Sequence, residues 1–137
     1  MTAVDTNVVI RFLTRDDANQ FQQAVALFNR ETIHIPDTVW LESEWVLRFA
    51  YGYDPSAVTQ AFRGLLGLPQ VRVTDADRLI LAIEWHAAGL DFADALHLAS
   101  SQDVGTLTTF DRAFSRKSSN LGVCRVVDLS ATDQTND

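Results

Sequence analysis

Five short apolar runs, TAVD at 2–5, IHI at 33–35, VRV at 71–73, TLTT at 106–109 and CRVV at 124–127, are spaced through the chain with helical patterns between them. Short strands alternating with helices predict an α/β architecture, with a mainly parallel sheet covered on both faces. Helices are expected around 7–14 and over 17–30, the latter capped by Asp16 or Asp17. After Pro36 a third should run from Asp37 or Thr38 to about Tyr51, where GYDP breaks the chain. Further helices are expected over 56–66, from Thr74 or Asp75 to His86 with Gly89 as a stop, over 92–102, and briefly from Asp111. No internal repeat interrupts this order. One domain over 1–129 is expected, followed by a polar, disordered tail over 130–137.

Composition narrows the function classes. No apolar run approaches a membrane span, and the N-terminus lacks the basic and apolar regions of a secretory signal, so a cytoplasmic protein is expected. A single cysteine, Cys124, cannot form an internal disulfide, and His34, His86 and His97 show no zinc spacing. The net charge of −7 argues against a protein that coats nucleic acid through its own cations. A nucleic-acid partner would need cations gathered on one face, or divalent metal held by the acids.

Several acids stand where a solvated surface does not explain them. Asp5 interrupts the first apolar run, and an unpaired carboxylate in such a place costs several kcal/mol or gives up its charge. On the helix after Pro36, Val39, Trp45, Val46, Phe49 and Ala50 project as an apolar arc with Glu42 near its middle. Glu44 falls on the other side, four residues before Arg48, and is expected as a solvated surface residue in an i,i+4 ion pair. Asp91 reads as a helix N-cap, whereas Asp94, just inside that helix, can project past its start. Asp111 follows a strand and also suits a plain cap. Gathered together, Asp5, Glu42, Asp94 and Asp111 would repel one another unless a cation intervened, and oxygen ligands select a hard one such as Mg²⁺ or Mn²⁺.

The segments VDTNVVIRFLTRDD at 4–17, LESEWVLR at 41–48, DFADALHLA at 91–99 and TLTTFDRAF at 106–114 resemble the PIN-domain family, specifically its VapC-type toxin ribonucleases. The resemblance implies a three-layer α/β/α fold with a mainly parallel central sheet. It carries the family's metal-binding acids onto Asp5, Glu42, Asp94 and Asp111, with Thr6, Asn7 and Thr109 supporting them or positioning water. The family motif and the helical projection choose the same glutamate. Where some relatives carry a further acid two residues after the fourth, this chain has Ala113. The resemblance also implies a homodimer and a cognate antitoxin, whose arginine-bearing segment can occupy the acidic groove.

The expected activity is metal-dependent hydrolysis of RNA, with Mg²⁺ or Mn²⁺ as cofactor. Arg11, Arg15, Arg112, Arg116 and Lys117, close in sequence to Asp5 and Asp111, are candidate phosphate contacts. His97 and the other histidines, like Trp40, Trp45 and Trp85, are better explained by packing than by substrate contact. Two other readings compete. An aspartate-nucleophile phosphatase would want a second acid two residues after Asp5, where Asn7 stands. A non-catalytic PIN-like binding module would be expected to have lost acids, and all four are present.

Overall fold

The computed structural model describes residues 1–134. The chain falls into two compact units, Met1–Ala76 and the part from Asp77 onward. In the first, β1 (Thr2–Ala3), α1 (Thr6–Thr14), α2 (Ala18–Arg30), β2 (Ile33–His34), α3 (Asp37–Tyr51), α4 (Pro55–Leu66) and β3 (Val71–Arg72) follow in order. The sheet runs β1-β2-β3 and both pairings are parallel, with Thr2 opposite Ile33 and Ile33 opposite Val71. Parallel neighbours need crossover connections, which is why helices separate every pair. The paired residues are few because each strand only has to carry the buried stretch; Ile33 and Ile35 are wholly buried. Trp40 packs edge-on against Phe62 at 5.0 Å, and its indole N–H donates to the Ile35 carbonyl at 3.2 Å, so the buried polar atom is satisfied.

The second unit holds α5 (Ala76–Ala87), α6 (Phe92–Ser100), β4 (Thr106–Thr109), α7 (Arg112–Lys117), β5 (Arg125–Asp128) and α8 (Leu129–Gln134). Strands β4 and β5 pair in parallel, Thr106 opposite Arg125. Leu79, Ile83, Phe92, Leu98 and Phe114 fill its interior. His86 is also buried; its Nδ1 donates to the Leu90 carbonyl at 2.8 Å, while Nε2 has no partner among the described residues. The polar tail expected from residue 130 instead begins inside α8, and residues 135–137 lie outside the described part.

Aspartates start many of the helices. Asp17, Asp54 and Asp91 accept the backbone N–H three residues on, at 3.0, 2.8 and 3.2 Å. The expected cap of α3 by Asp37 or Thr38 is absent. Pro36 occupies the cap position, and its carbonyl receives the N–H groups of Val39 at 2.9 Å and Trp40 at 3.2 Å, closing the first turn without a side chain.

A polar clasp ties α1 to α3. Asp16 accepts from Tyr51 Oη at 2.6 Å, from Thr14 Oγ1 at 2.9 Å and from Arg11 Nη1 at 2.9 Å, and Arg11 Nε donates to Gln20 at 2.7 Å. These donors favour the carboxylate form, the Tyr51 hydroxyl most, and lower the Asp16 pKa to about 2. A depressed acid stabilises the fold above its unfolded pKa and loses that contribution as pH falls through the folded value. An Asp16→Asn variant is therefore expected to be less stable than wild type at neutral pH. The gap should close between about pH 4 and pH 2 in urea titrations run across that range. A gap that persists unchanged at the acid end would show that the carboxylate charge is not what holds the clasp.

Candidate active site

Asp5 sits just past β1 and caps α1, its Oδ1 accepting the Val8 N–H at 3.2 Å. That bond uses one oxygen; the other has no hydrogen-bond partner among the described residues. The strand-to-helix turn leaves the side chain exposed while the next residue, Thr6, is buried with Oγ1 unpaired. Asn7 is exposed and lines a cleft of about 350 Å³ between α1 and α2, together with Arg11, Gln20 and Arg30.

Glu42 lies on α3, which packs against α1. Its place on the helix differs from expectation. The buried residues of α3 are Val39, Trp40, Ser43, Glu44 and Leu47, so the core-facing stripe follows 40, 43, 44 and 47. Glu42 shares the outward side with Trp45 and Phe49, and its carboxylate makes no hydrogen bond or ion pair among the described residues. Glu44, expected at the surface, is only 2% exposed. The ion pair with Arg48 does form, Nε to Oε2 at 2.8 Å and Nη2 to Oε1 at 3.2 Å. Apolar side chains occupy both sides of this helix, and the side that carries Trp40, Ser43, Glu44 and Leu47, not the arc of Trp45 and Phe49, faces the core.

In the second unit Asp94 lies in the first turn of α6, behind its cap Asp91. Burial raises the Asp94 pKa first, and the charges of Asp91 and Asp111 raise it further; His97 and Lys117 act against them. Asp94 and Asp111 are thus near enough to feel each other. Asp111 caps α7 through the Phe114 N–H at 3.0 Å, and its own N–H donates to Thr109 Oγ1 at 3.0 Å, so Thr109 fixes the turn that presents it. Asp111 is exposed, and one carboxylate oxygen has no partner among the described residues.

The candidate phosphate contacts divide. Arg11 is committed to Asp16, Gln20 and Tyr51. Arg15, in the left-handed region at φ 58°, lays its guanidinium over Phe21 at 4.8 Å. Arg112 approaches Asp128 at 3.9 Å, whereas Arg116 and Lys117 are exposed in the last turn of α7.

Among the described residues, no group of three or more His, Cys, Asp or Glu side chains is arranged so that it could hold a metal ion. The donor chemistry nevertheless fits a hard divalent cation. In the first unit Asp5 keeps an oxygen beyond its cap and the buried Thr6 hydroxyl lacks a partner among the described residues; in the second, Asp111 keeps an oxygen beyond its cap beside Asp94, whose pKa burial and neighbouring acids raise. Parallel strand pairs joined by helices, with aspartates at the strand ends, place the chain among α/β proteins bearing acidic sites at those ends. The family model of the PIN domain matches residues 2–120, and the chain belongs to that family. Its fold is accordingly the three-layer α/β/α PIN fold, and the family's chemistry is that of metal-dependent nucleases. No curated protein matches the chain significantly.

The contrast on α3 is measurable. Glu42→Gln, at an exposed unpaired position, should leave the stability of the metal-free protein within about 0.5 kcal/mol of wild type. Glu44→Gln should cost about 1–3 kcal/mol by weakening a buried charge-assisted pair, and chemical denaturation of both variants decides the point. Equal losses would mean that the inward and outward faces of α3 are assigned wrongly.

Proposed function

We propose that the chain is a metal-dependent endoribonuclease of VapC type, the toxin of a type II toxin–antitoxin pair. One observation carries this reading. All four acids onto which the resemblance carries the family's metal ligands are present, and each keeps at least one carboxylate oxygen unengaged by any hydrogen bond or guanidinium among the described residues. Asp16 and Glu44, by contrast, are consumed by structural pairs.

In this reading Asp5, Glu42 and Asp94 would hold a principal Mg²⁺ or Mn²⁺ ion. When bound, such an ion supplies Lewis acidity toward phosphate oxygens and acidifies water. Asp111, oriented by its bonds to Thr109 and α7, helps hold an ion or takes the proton of the attacking water. Asn7, exposed beside Asp5, is placed to orient that water, and the Thr6 hydroxyl supports the Asp5 turn from within. Arg15, Arg112, Arg116 and Lys117 offer positive charge to the strand; Arg11 instead braces α1. Attack by water needs no neighbouring 2′-hydroxyl and leaves a 5′-phosphate and a 3′-hydroxyl. A cognate antitoxin and a homodimer, which follow from the VapC-type likeness, and a cytoplasmic location complete the proposal. No helix among the described residues is long and apolar enough to cross a membrane.

Defined RNAs incubated with Mg²⁺ or Mn²⁺ are expected to be cut, with EDTA abolishing the reaction. Asp5→Asn and Glu42→Gln should each lower the rate by about 100-fold or more, while Arg11→Lys acts through stability. Cleavage indifferent to chelation and to both substitutions would end this reading. In the absence of RNA, millimolar Mn²⁺ should raise the melting temperature of wild type and raise that of Glu42→Gln less.

A further inference from the structure

The first unit buries the hydroxyls of Thr6, Ser43 and Thr59 without a hydrogen-bond partner among the described residues. Two of these residues directly follow a candidate acid: Thr6, 7% exposed, follows Asp5, and Ser43, 0% exposed, follows Glu42. A hydroxyl inside a helix ordinarily bonds the carbonyl one turn back, as Thr14 does to Ile10 at 2.8 Å and Ser118 to Phe114 at 2.6 Å. Ser43 does not. A buried polar atom with neither water nor protein to bond is costly, so both groups call for a partner.

The helices bring Thr6 and Ser43 to one level. Strands β1 and β2 are parallel neighbours, Ala3 opposite His34, and α1 and α3 leave from the same edge of that pair. At the far ends of the two helices, Thr14 Oγ1 and Tyr51 Oη meet on the Asp16 carboxylate at 2.9 and 2.6 Å. Thr6 stands eight residues before Thr14, and Ser43 eight before Tyr51. At 1.5 Å per residue both therefore lie about 12 Å back along helices that pack together. At 100° per residue Ser43 is turned about 60° from Trp40 toward the side of Glu42, and Thr6 shares the buried stripe of α1 with Val9 and Ile10. The two hydroxyls do not bond each other, so a bridge between them needs a small group that both donates and accepts. Water is such a group, and Asp5 and Glu42, being exposed, leave it on their inner side.

We propose that the Thr6 and Ser43 hydroxyls hold one internal water between α1 and α3, which fixes how the two helices seat and makes Ser43 a positioning residue for Asp5 and Glu42. The bridge stands on the packing of the first unit alone; the positioning role rests on the nuclease reading.

In urea unfolding, Thr6→Val and Ser43→Ala should each lower the folding equilibrium constant about tenfold, and the double variant no further than either, because each change breaks the same bridge. Thr6→Ser keeps the hydroxyl, and on that background Ser43→Ala should cost as much as it does in wild type. Oxygen-17 relaxation dispersion should count one fewer long-lived water in Ser43→Ala than in wild type, a reading that decides the point even where Thr6→Val does not fold. Single variants as stable as wild type, losses that multiply, or an unchanged water count overturns the bridge. Well below the melting temperature, Ser43→Ala should lower kcat on RNA about tenfold with KM within about twofold of wild type. An unchanged kcat beside an intact coupling overturns the positioning role. A wild type that cuts no RNA yet shows the coupling and the lost water removes the nuclease reading, and the positioning role with it, and supports the bridge.

Discussion

The hydrogen bond from a helix N-terminus to an aspartate at the end of a strand underlies both the fold and the site. Asp5 and Asp111 each turn the chain from strand to helix by accepting one backbone N–H. A cap of this kind contributes about 1 kcal/mol, so the residue type is favoured by folding alone. Yet the bond engages one oxygen of two, and the second is left at the carboxyl end of a parallel strand. Asp17 and Asp54 make the same bond before helices that follow no strand directly, which separates a cap from a cap with a spare ligand by its position in the topology.

Much of this was legible in the chain. The alternation of strand and helix, the caps at Asp17, Asp91 and Asp111, and the burial of Trp40 and Trp85 all follow from short-range patterns. Such patterns work where a helix has one apolar side. Helix α3 has two, and there the projection does not tell which faces inward: Glu44 is inside and Trp45 outside. The family motif still selected Glu42, but the geometric reason is its outward position without a partner, rather than a place in an apolar arc. The clasp among Arg11, Asp16 and Tyr51 was invisible for another reason. Tyr51 lies 40 residues from Arg11 and 35 from Asp16, beyond any local pattern, and Arg11 looked like a free cation until that contact was known.

The sorting of acids into engaged and unengaged groups carries the functional argument, because the number of acids alone does not. An acidic protein must keep most of its carboxylates in water, and exposed ones need no explanation. Asp94 differs. It is partly buried, close to Asp91 and Asp111, and its pKa is raised by that burial and by their charge. The sign matters: an acid with a raised folded pKa favours the fold most when protonated, and its ionisation weakens the fold as pH rises through the folded value. Burial and the neighbouring acids thus work against the charged form of Asp94.

A sequence selected for stability alone would have asparagine or alanine at such a position, since the Asp91 cap already serves the start of α6. A carboxyl group placed there against those charges would suit a ligand that supplies positive charge. The neighbouring His97 and Lys117 are poor substitutes, because they are exposed and oppose the shift without abolishing it. A hard divalent ion would reverse the balance by making each neighbouring carboxylate an asset, and proton and metal would then compete for the same oxygens. Within the second unit, the raised pKa of Asp94 and the unengaged oxygen of Asp111 would share one explanation in a bound cation, whereas a purely structural account needs a separate reason for each.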